Sequence, residues 1–221
     1  MTETFLSRMQ FKVHLFCSHF GYGLGTFRHP MRRDVLRACR ETFRQIPAAT
    51  TPLEGSEIVQ WLSACDKIPG DIAELGVYNG ATAALMLKNS GKRMHLFDTF
   101  EGLPESENRF EKGEYKGSLA TVRRNLSQWQ NRTEYHVGLF PASADGIETR
   151  FSFVHLDADL YSSTKSALEW FWPRISQGGA ILSHDYPLSD GVVRAFQEFF
   201  ENRPEIFVPL SGSQCVAIKS H

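Results

Sequence analysis

Two short stretches of this chain gather side chains able to hold a cation or move a proton. "VHLDADLY" carries Asp157 and Asp159, and "ILSHDY" carries His184 and Asp185. Each stretch reads as the end of a strand, the fourth and fifth along the chain. A β-α-β unit of this length sets the two ends side by side. Hard oxygen donors converging there suit Mg²⁺, with Asp157, His184 and Asp185 as the candidate ligands. A metal so placed would hold two neighbouring substrate oxygens and lower the pKa of one of them. The plainer alternative is that these acids only cap the helices that follow. For His184 three options stay open. It is a metal ligand that shifts preference toward Mn²⁺, Fe²⁺ or Co²⁺. Or it faces away, as alternate strand residues do. Or it accepts a proton near the substrate.

A second constellation lies upstream in "ELGVYNGATA", residues 74–83. An acidic residue ends an apolar run, and two glycines follow, four apart. The turn lacks the G-x-G-x-x-G pattern that seats a pyrophosphate on a helix N-terminus. Glu74 can accept a hydrogen bond from an ammonium group, and Gly76 lets backbone pass close to a ligand. The amides around Asn79 and Gly80 open a helix and can face a carboxylate. Asp98 ends the next strand, 24 residues after Glu74. A carboxylate there can accept both hydrogen bonds of a ribose diol. A ligand with an amino-acid end, a ribose and no phosphate fits S-adenosylmethionine better than NAD.

The elements that must position these residues follow from periodicity. Helices are expected over 32–46, 52–68, 79–89, 118–129, 162–175 and 190–202. Strands are expected over 71–76, 93–98, 133–138, 150–158 and 178–186, with a last pair, "EIFVPL" and "QCVAIK", around Ser211-Gly212. Strand–helix alternation of this length means a doubly wound α/β sheet, mostly parallel and seven-stranded. The last pair implies an antiparallel C-terminal edge hairpin. That combination is the pattern of the class I methyltransferase fold, whose ligands bind beyond the carboxyl ends of the strands. Residues 99–117, with five Glu among Gly and Pro, read as a mobile loop over the site. Residues 1–50 read as an N-terminal helical extension and 51–221 as the catalytic domain. Within the extension, residues 4–20 suit a helix that covers the site, touches another copy of the chain or packs on the flank. "GYGLGTF" (21–27) reads as a connector.

Composition narrows the function classes. The chain has 221 residues, 42% hydrophobic and 22% charged, with formal net charge −1, so no basic excess points to nucleic acid or an anionic membrane. No apolar run reaches the roughly 18 residues of a membrane span, and no secretion signal is evident. The four cysteines lack CxxC spacing and read as buried thiols in a reducing cytoplasm. His95 and His155 lie inside apolar strand runs and read as core residues. "WFW" (170–172) reads as helix packing.

Five separated motifs, in order, resemble the macrocin O-methyltransferase family: "ELGVYNGAT", "LFDTFEGLP", "SLATVRRNL", "VGLFP" and "LDADLYSSTKSALEWFWPRISQGGAILSHDY". The resemblance runs from about residue 50 to 218. It implies S-adenosylmethionine as donor, a divalent metal, usually Mg²⁺, and a sugar hydroxyl on a natural product as acceptor. It places Glu74, Gly76, Tyr78, Asn79, Gly80, Thr82, Asp98, Thr99 and Ser118 around the cofactor, and brings the loop that starts at Gly138 toward the adenine. It suggests Asp157 as the base, with His184 as the other candidate. The family's fifth-strand pair is commonly Asp-Asp, and His184-Asp185 departs from it, which leaves the third metal ligand open. Catechol-type relatives often carry a Lys three residues after the first Asp, and here that place is Leu160. The alternatives to a glycoside or polyol acceptor are a catechol or phenol acceptor, or a cofactor-binding module without catalysis.

Overall fold

The computed structural model describes residues 30–210 and 212–220. The expected helix at 4–20 and connector at 21–27 lie outside them. Helix α1 (Pro30–Gln45) packs on α2 (Pro52–Ala64) and on α3 (Ala81–Asn89), with Cys39, Val59 and Leu85 at the contact. Strand β1 (Asp71–Leu75) precedes α3, and β2 (Met94–Asp98) follows it. Then come α4 (Leu119–Asn125), β3 (Thr133–Val137), β4 (Phe151–Leu156), α5 (Tyr161–Phe171), β5 (Ile175–Ser183), α6 (Asp190–Phe200), β6 (Phe207–Pro209) and β7 (Cys215–Ile218).

The seven strands form one sheet in the order β3-β2-β1-β4-β5-β7-β6. β1 to β5 are parallel; β7 runs antiparallel to both β5 and β6. Strand order reverses between β1 and β4, the place where such sheets bind ligands. Alternate residues feed the two faces, as the two-residue period of a strand requires. Ile72, Leu96, Phe153 and Leu182 pack with α2 and α3, while Ala73, Phe97, Val154 and Ile181 pack with α5 and α6. Fully burying one such large side chain stabilises by roughly 1.5–3 kcal/mol. The expected parallel sheet with its antiparallel terminal pair is present, and the chain adopts the class I methyltransferase fold.

Several boundaries differ from the sequence expectation. The fifth strand ends at Ser183, so His184 and Asp185 stand just past it rather than within it. It also starts earlier, with Ile175 opposite Phe151 and a register shift before Ala180 opposite Phe153. Gly178, at φ 80°, takes up that irregularity. Helix α5 gives way at Phe171 to a 3₁₀ turn, Trp172–Arg174, because Pro173 can supply no backbone N–H. Helix α4 likewise stops at Asn125 and passes into 3₁₀ geometry over Ser127–Arg132. Among the described residues no helix is long and apolar enough to cross a membrane. Cys39, Cys65 and Cys215 are free and buried.

Candidate active site

The loops that leave β1 to β5 are tied into one rim by backbone hydrogen bonds, each to the end of the neighbouring strand. Gly138 N–H donates to Asp98 O (3.1 Å), Gly76 N–H to Phe97 O (3.0 Å), Asp157 N–H to Leu75 O and His184 N–H to Leu156 O (both 2.8 Å). The rim is backbone-strained. Tyr78, Asp159 and Asp185 all lie at positive φ, 50°, 58° and 57°. Non-glycine residues held there cost of order 1–3 kcal/mol each and cluster at functional sites. Gly76, at φ 87°, is needed for a second reason: a Cβ would run into the Asp157 carbonyl oxygen.

Beside the β1–β2 end of the rim lies an open cleft. Gly76, Tyr78, Asp98, Thr99 and Gly138 line it, with Tyr115 from the 99–117 loop. Asn79 and Thr82 line a smaller groove on the other side of the Gly76–Tyr78 turn, where Asp157 also sits. Three of the expected cofactor residues do not line either space. Gly80 is the N-cap of α3 at φ 80°, with Val122 against its back. Ser118 is exposed at the N-cap of α4, and its hydroxyl makes no capping bond. Glu74 is fully buried, with Oε1 2.9 Å from His155 Nδ1 and Oε2 without a partner. Burial raises its pKa, partly offset by His155. Glu74 therefore faces into the sheet rather than into the cleft.

Asp98 is already engaged. Oδ2 accepts from Val77 N–H (2.7 Å) and Tyr78 N–H (3.0 Å), and Oδ1 accepts from Phe100 N–H (2.7 Å). Three of the carboxylate's roughly four acceptor sites are thus taken, and Oδ1 keeps the remaining capacity toward the cleft. The same carboxylate thus shapes the glycine turn and faces the space beside it.

Asp157, His184 and Asp185 converge with ligand atoms within 4.8 Å of one another. His184 Nδ1 is 3.3 Å from both Asp157 Oδ1 and Asp185 Oδ2, and Nε2 is 3.4 Å from Glu54 Oε1. These are ion-pair distances without aligned hydrogen bonds, so both buried ring nitrogens lack a directed partner. Burial would lower the His184 pKa, but the carboxylates of Asp157, Asp185 and Glu54 drive it far above the ordinary histidine range. Burial alone would raise Glu54; the close contact with His184 and bonds from Ser213 and Thr51 outweigh it and bring it to about 2.

Glu54 was not among the expected site residues. It belongs to the capping box that starts α2, with Thr51 N–H donating to Oε2 at 2.7 Å. Its other oxygen accepts from Ser213 Oγ and faces His184. The T-x-x-E spacing reveals the cap, but nothing in it announces that Oε1 reaches His184.

Asp159, at the same rim, is 8% exposed. Burial, then the charges of Asp157 and Asp185, push its carboxyl up to about 9, and it hydrogen-bonds Asp185. A carboxyl protonated in the folded chain but ionised when unfolded binds its proton only in the native state. Its contribution therefore falls as pH rises from about 4 to 9, once the unfolded carboxyl ionises. Asp159→Asn keeps a donor toward Asp185 and removes the titration. In the presence of chelator, this variant should be more stable than wild type at pH 8 by on the order of 1–3 kcal/mol. The difference should vanish below pH 4. Thermal melts at both pH values check this, and an equal gap at both would contradict it.

The 99–117 loop is anchored over the rim. Ser162 Oγ donates to Glu105 Oε1 (2.6 Å), Tyr161 N–H to Glu107 Oε2 (3.1 Å), and Arg109 Nη2 lies 3.3 Å from Asp185 Oδ1. Glu107 sits at the otherwise uncapped N-terminus of α5, and Gly191 at the start of α6 leaves it room. A hydrogen bond to an ionised group contributes about 1.5–3 kcal/mol. Glu107→Ala should therefore raise protease cleavage within 99–117 by roughly 10- to 150-fold. S-adenosylhomocysteine should slow that cleavage in wild type. An unchanged cleavage rate in the variant would show that Glu107 does not hold the loop.

The fold and the rim together define a class I O-methyltransferase architecture. Residues 40–217 match the macrocin-O-methyltransferase (TylF) family, and the chain belongs to that family. It is 31% identical over 144 residues to the 8-demethyl-8-(2,3-dimethoxy-alpha-L-rhamnosyl)-tetracenomycin-C 4'-O-methyltransferase of Streptomyces olivaceus, a match covering 56% of this chain and 55% of that protein. The structure of the O-methyltransferase NovP superposes with TM-score 0.72 at 17% identity, covering 86% of this chain and 98% of that one. TomG from Streptomyces achromogenes, solved in complex with SAM, superposes with TM-score 0.58 at 16% identity, covering 95% of this chain and 96% of that one.

Proposed function

We propose that this chain is an S-adenosylmethionine-dependent, divalent-metal-assisted O-methyltransferase acting on a hydroxyl of a sugar or glycosylated natural product. The observation that carries the reading is the convergence of Asp157, His184 and Asp185 beside the cleft lined by Asp98. The rhamnosyl acceptor in the name of the Streptomyces olivaceus relative supports the acceptor class.

The donor set fits a divalent cation. It offers two hard carboxylates and an imidazole whose buried nitrogens lack directed bonds. Glu54 behind Nε2 would aim Nδ1 at the cation, as carboxylates behind metal-bound histidines do. A cation bound there supplies Lewis acidity that lowers the pKa of the acceptor hydroxyl. Asp157 accepts the hydroxyl proton, a transfer that becomes feasible once the two pKa values approach. Asp98 holds the ribose diol, while Gly138 and the loop after it flank the adenine. Asn79 and Thr82 face the amino-acid end. The 99–117 loop excludes water from the rim. S-adenosylmethionine supplies the electrophilic methyl group.

The test is a methyl-transfer screen with labelled donor against glycosides, free sugars and catechols, each with and without added divalent metal. Label should enter glycosides in a metal-dependent way. Transfer confined to catechols would move the acceptor class, and no transfer with intact donor binding would favour a non-catalytic module.

A further inference from the structure

We infer that the open edge of the sheet carries a second metal site, unrelated to the catalytic rim, in which His95, Glu134 and His136 bind a zinc-class divalent cation. β3 is the edge strand, paired to β2 with His95 opposite Glu134 and Phe97 opposite His136. Residues two apart on a strand share a face, so His95, Glu134 and His136 project to the same side. His95 Nδ1 lies 3.0 Å from His136 Nε2 and 3.5 Å from Glu134 Oε2, and the last two atoms are 4.0 Å apart. The circle through three points so separated has a radius of about 2.1 Å, within the usual Zn–N and Zn–O distances.

The surroundings are those of a ligand set. His95 Nε2 is 3.0 Å from Asp71 Oδ2, which also accepts from Thr149 Oγ1 at 3.2 Å. A carboxylate on the far nitrogen fixes the tautomer that leaves the Nδ1 lone pair toward the cluster. Glu134 divides its two oxygens: Oε1 pairs with Arg93 Nη1 at 2.6 Å, and Oε2 faces the histidines. The three ligands grade from buried to open, with side-chain exposures of 5% for His95, 17% for His136 and 41% for Glu134. Solvent can thus complete a tetrahedral shell. Two imidazoles and one carboxylate favour zinc, cobalt, nickel or copper over magnesium. The His136 ring stacks on Phe97 at 4.6 Å between centroids, so an ion here would fix the layer beneath the cleft.

Co²⁺ and Zn²⁺ are the probes, titrated into chelator-stripped full-length chain and read by bound-metal stoichiometry and the visible bands of four-coordinate Co²⁺. An Asp157→Asn/Asp185→Asn variant removes the rim cluster and should still bind one equivalent tightly. Adding His136→Ala or Glu134→Gln to it should weaken that binding by about tenfold or more, the more open Glu134 being the change that touches least of the packing. Asp71→Asn should weaken it about 10- to 100-fold without removing a ligand. Circular dichroism checks that each variant is folded. Failure of the double variant to bind Co²⁺, or equal binding after His136→Ala, would overturn the site. Neither result bears on metal at the rim, which is read from the reverse pairing: His136→Ala alone should retain the rim ion.

Discussion

Asp157→Ala should lower single-turnover methyl transfer by roughly 10³- to 10⁴-fold, the upper range for loss of a general base. It removes a proposed base and a proposed metal ligand in one step. Asp185→Ala should cost less, because it removes only a ligand. S-adenosylhomocysteine affinity, read by calorimetry, should fall far less than turnover, since Asp157 lies outside the cleft lined by Asp98 and borders only the groove of Asn79 and Thr82. The backbone bond from Asp157 N–H to Leu75 O survives the change, so the strand ends keep their place. Chelator should act like the mutation on turnover and leave donor binding alone. More than a tenth of wild-type activity in Asp157→Ala would remove it as the base. Full activity with chelator present would remove the metal.

Asp98→Ala should be the most damaging change on the cofactor side. The carboxylate accepts three backbone N–H bonds, two from the glycine turn and one from Phe100. Bonds to a charged acceptor contribute about 1.5–3 kcal/mol each, not additively. Loss of a bond of that size to the ribose diol weakens S-adenosylhomocysteine at least about tenfold, and the turn around Tyr78 loosens as well. Calorimetry should show the weakening, and thermal unfolding should show a lower midpoint. Asp98→Glu separates the two effects: it should recover part of the stability and little of the affinity, because the longer arm cannot meet both turn amides in place. Unchanged cofactor affinity in Asp98→Ala would take this residue out of the site.

The sheet was legible because its signals are local. Buried strands such as "IAEL" and "HLF" stand between helices with plain stop residues, and the Gly turn between the last two strands announces a reversal of direction. The rim clusters were legible for the same reason: Asp157 and Asp185 sit next to strand ends, and parallel strands bring their ends together. Contacts distant in sequence were hidden. Glu54 reads as half of a capping box, and its second oxygen reaches His184 only because α2 packs across the ends of β4 and β5. Glu74 reads as a strand-end acid with a free carboxylate, yet its partner His155 is 81 residues away on β4. An acidic residue at the end of a strand looks the same in sequence whether it turns to the ligand or to the neighbouring strand. The 99–117 loop was legible as long and polar but not as anchored, because its acids find their partners on α5. His95 reads as a core residue, and only the β2–β3 register sets His136 beside it.

The placement of β7 has a bearing on how the protein is made. β7 is inserted between β5 and β6, with Ala180 opposite Ile218 and Ser183 opposite Cys215. A ribosome delivers residues in order, so β5 emerges with one whole side unpaired and waits for a strand more than thirty residues downstream. During that interval Ile181 and Leu182 belong to an open template of the kind that recruits strands from other chains. The short β6 cannot close the gap, because it pairs with β7 and not with β5. The sheet is thus sealed only when β7 arrives, and a nascent chain that stops before residue 215 carries a bare β5 edge. Yield in a cell should depend on how quickly β7 follows β5 and on the chaperones that cover β5 until it does.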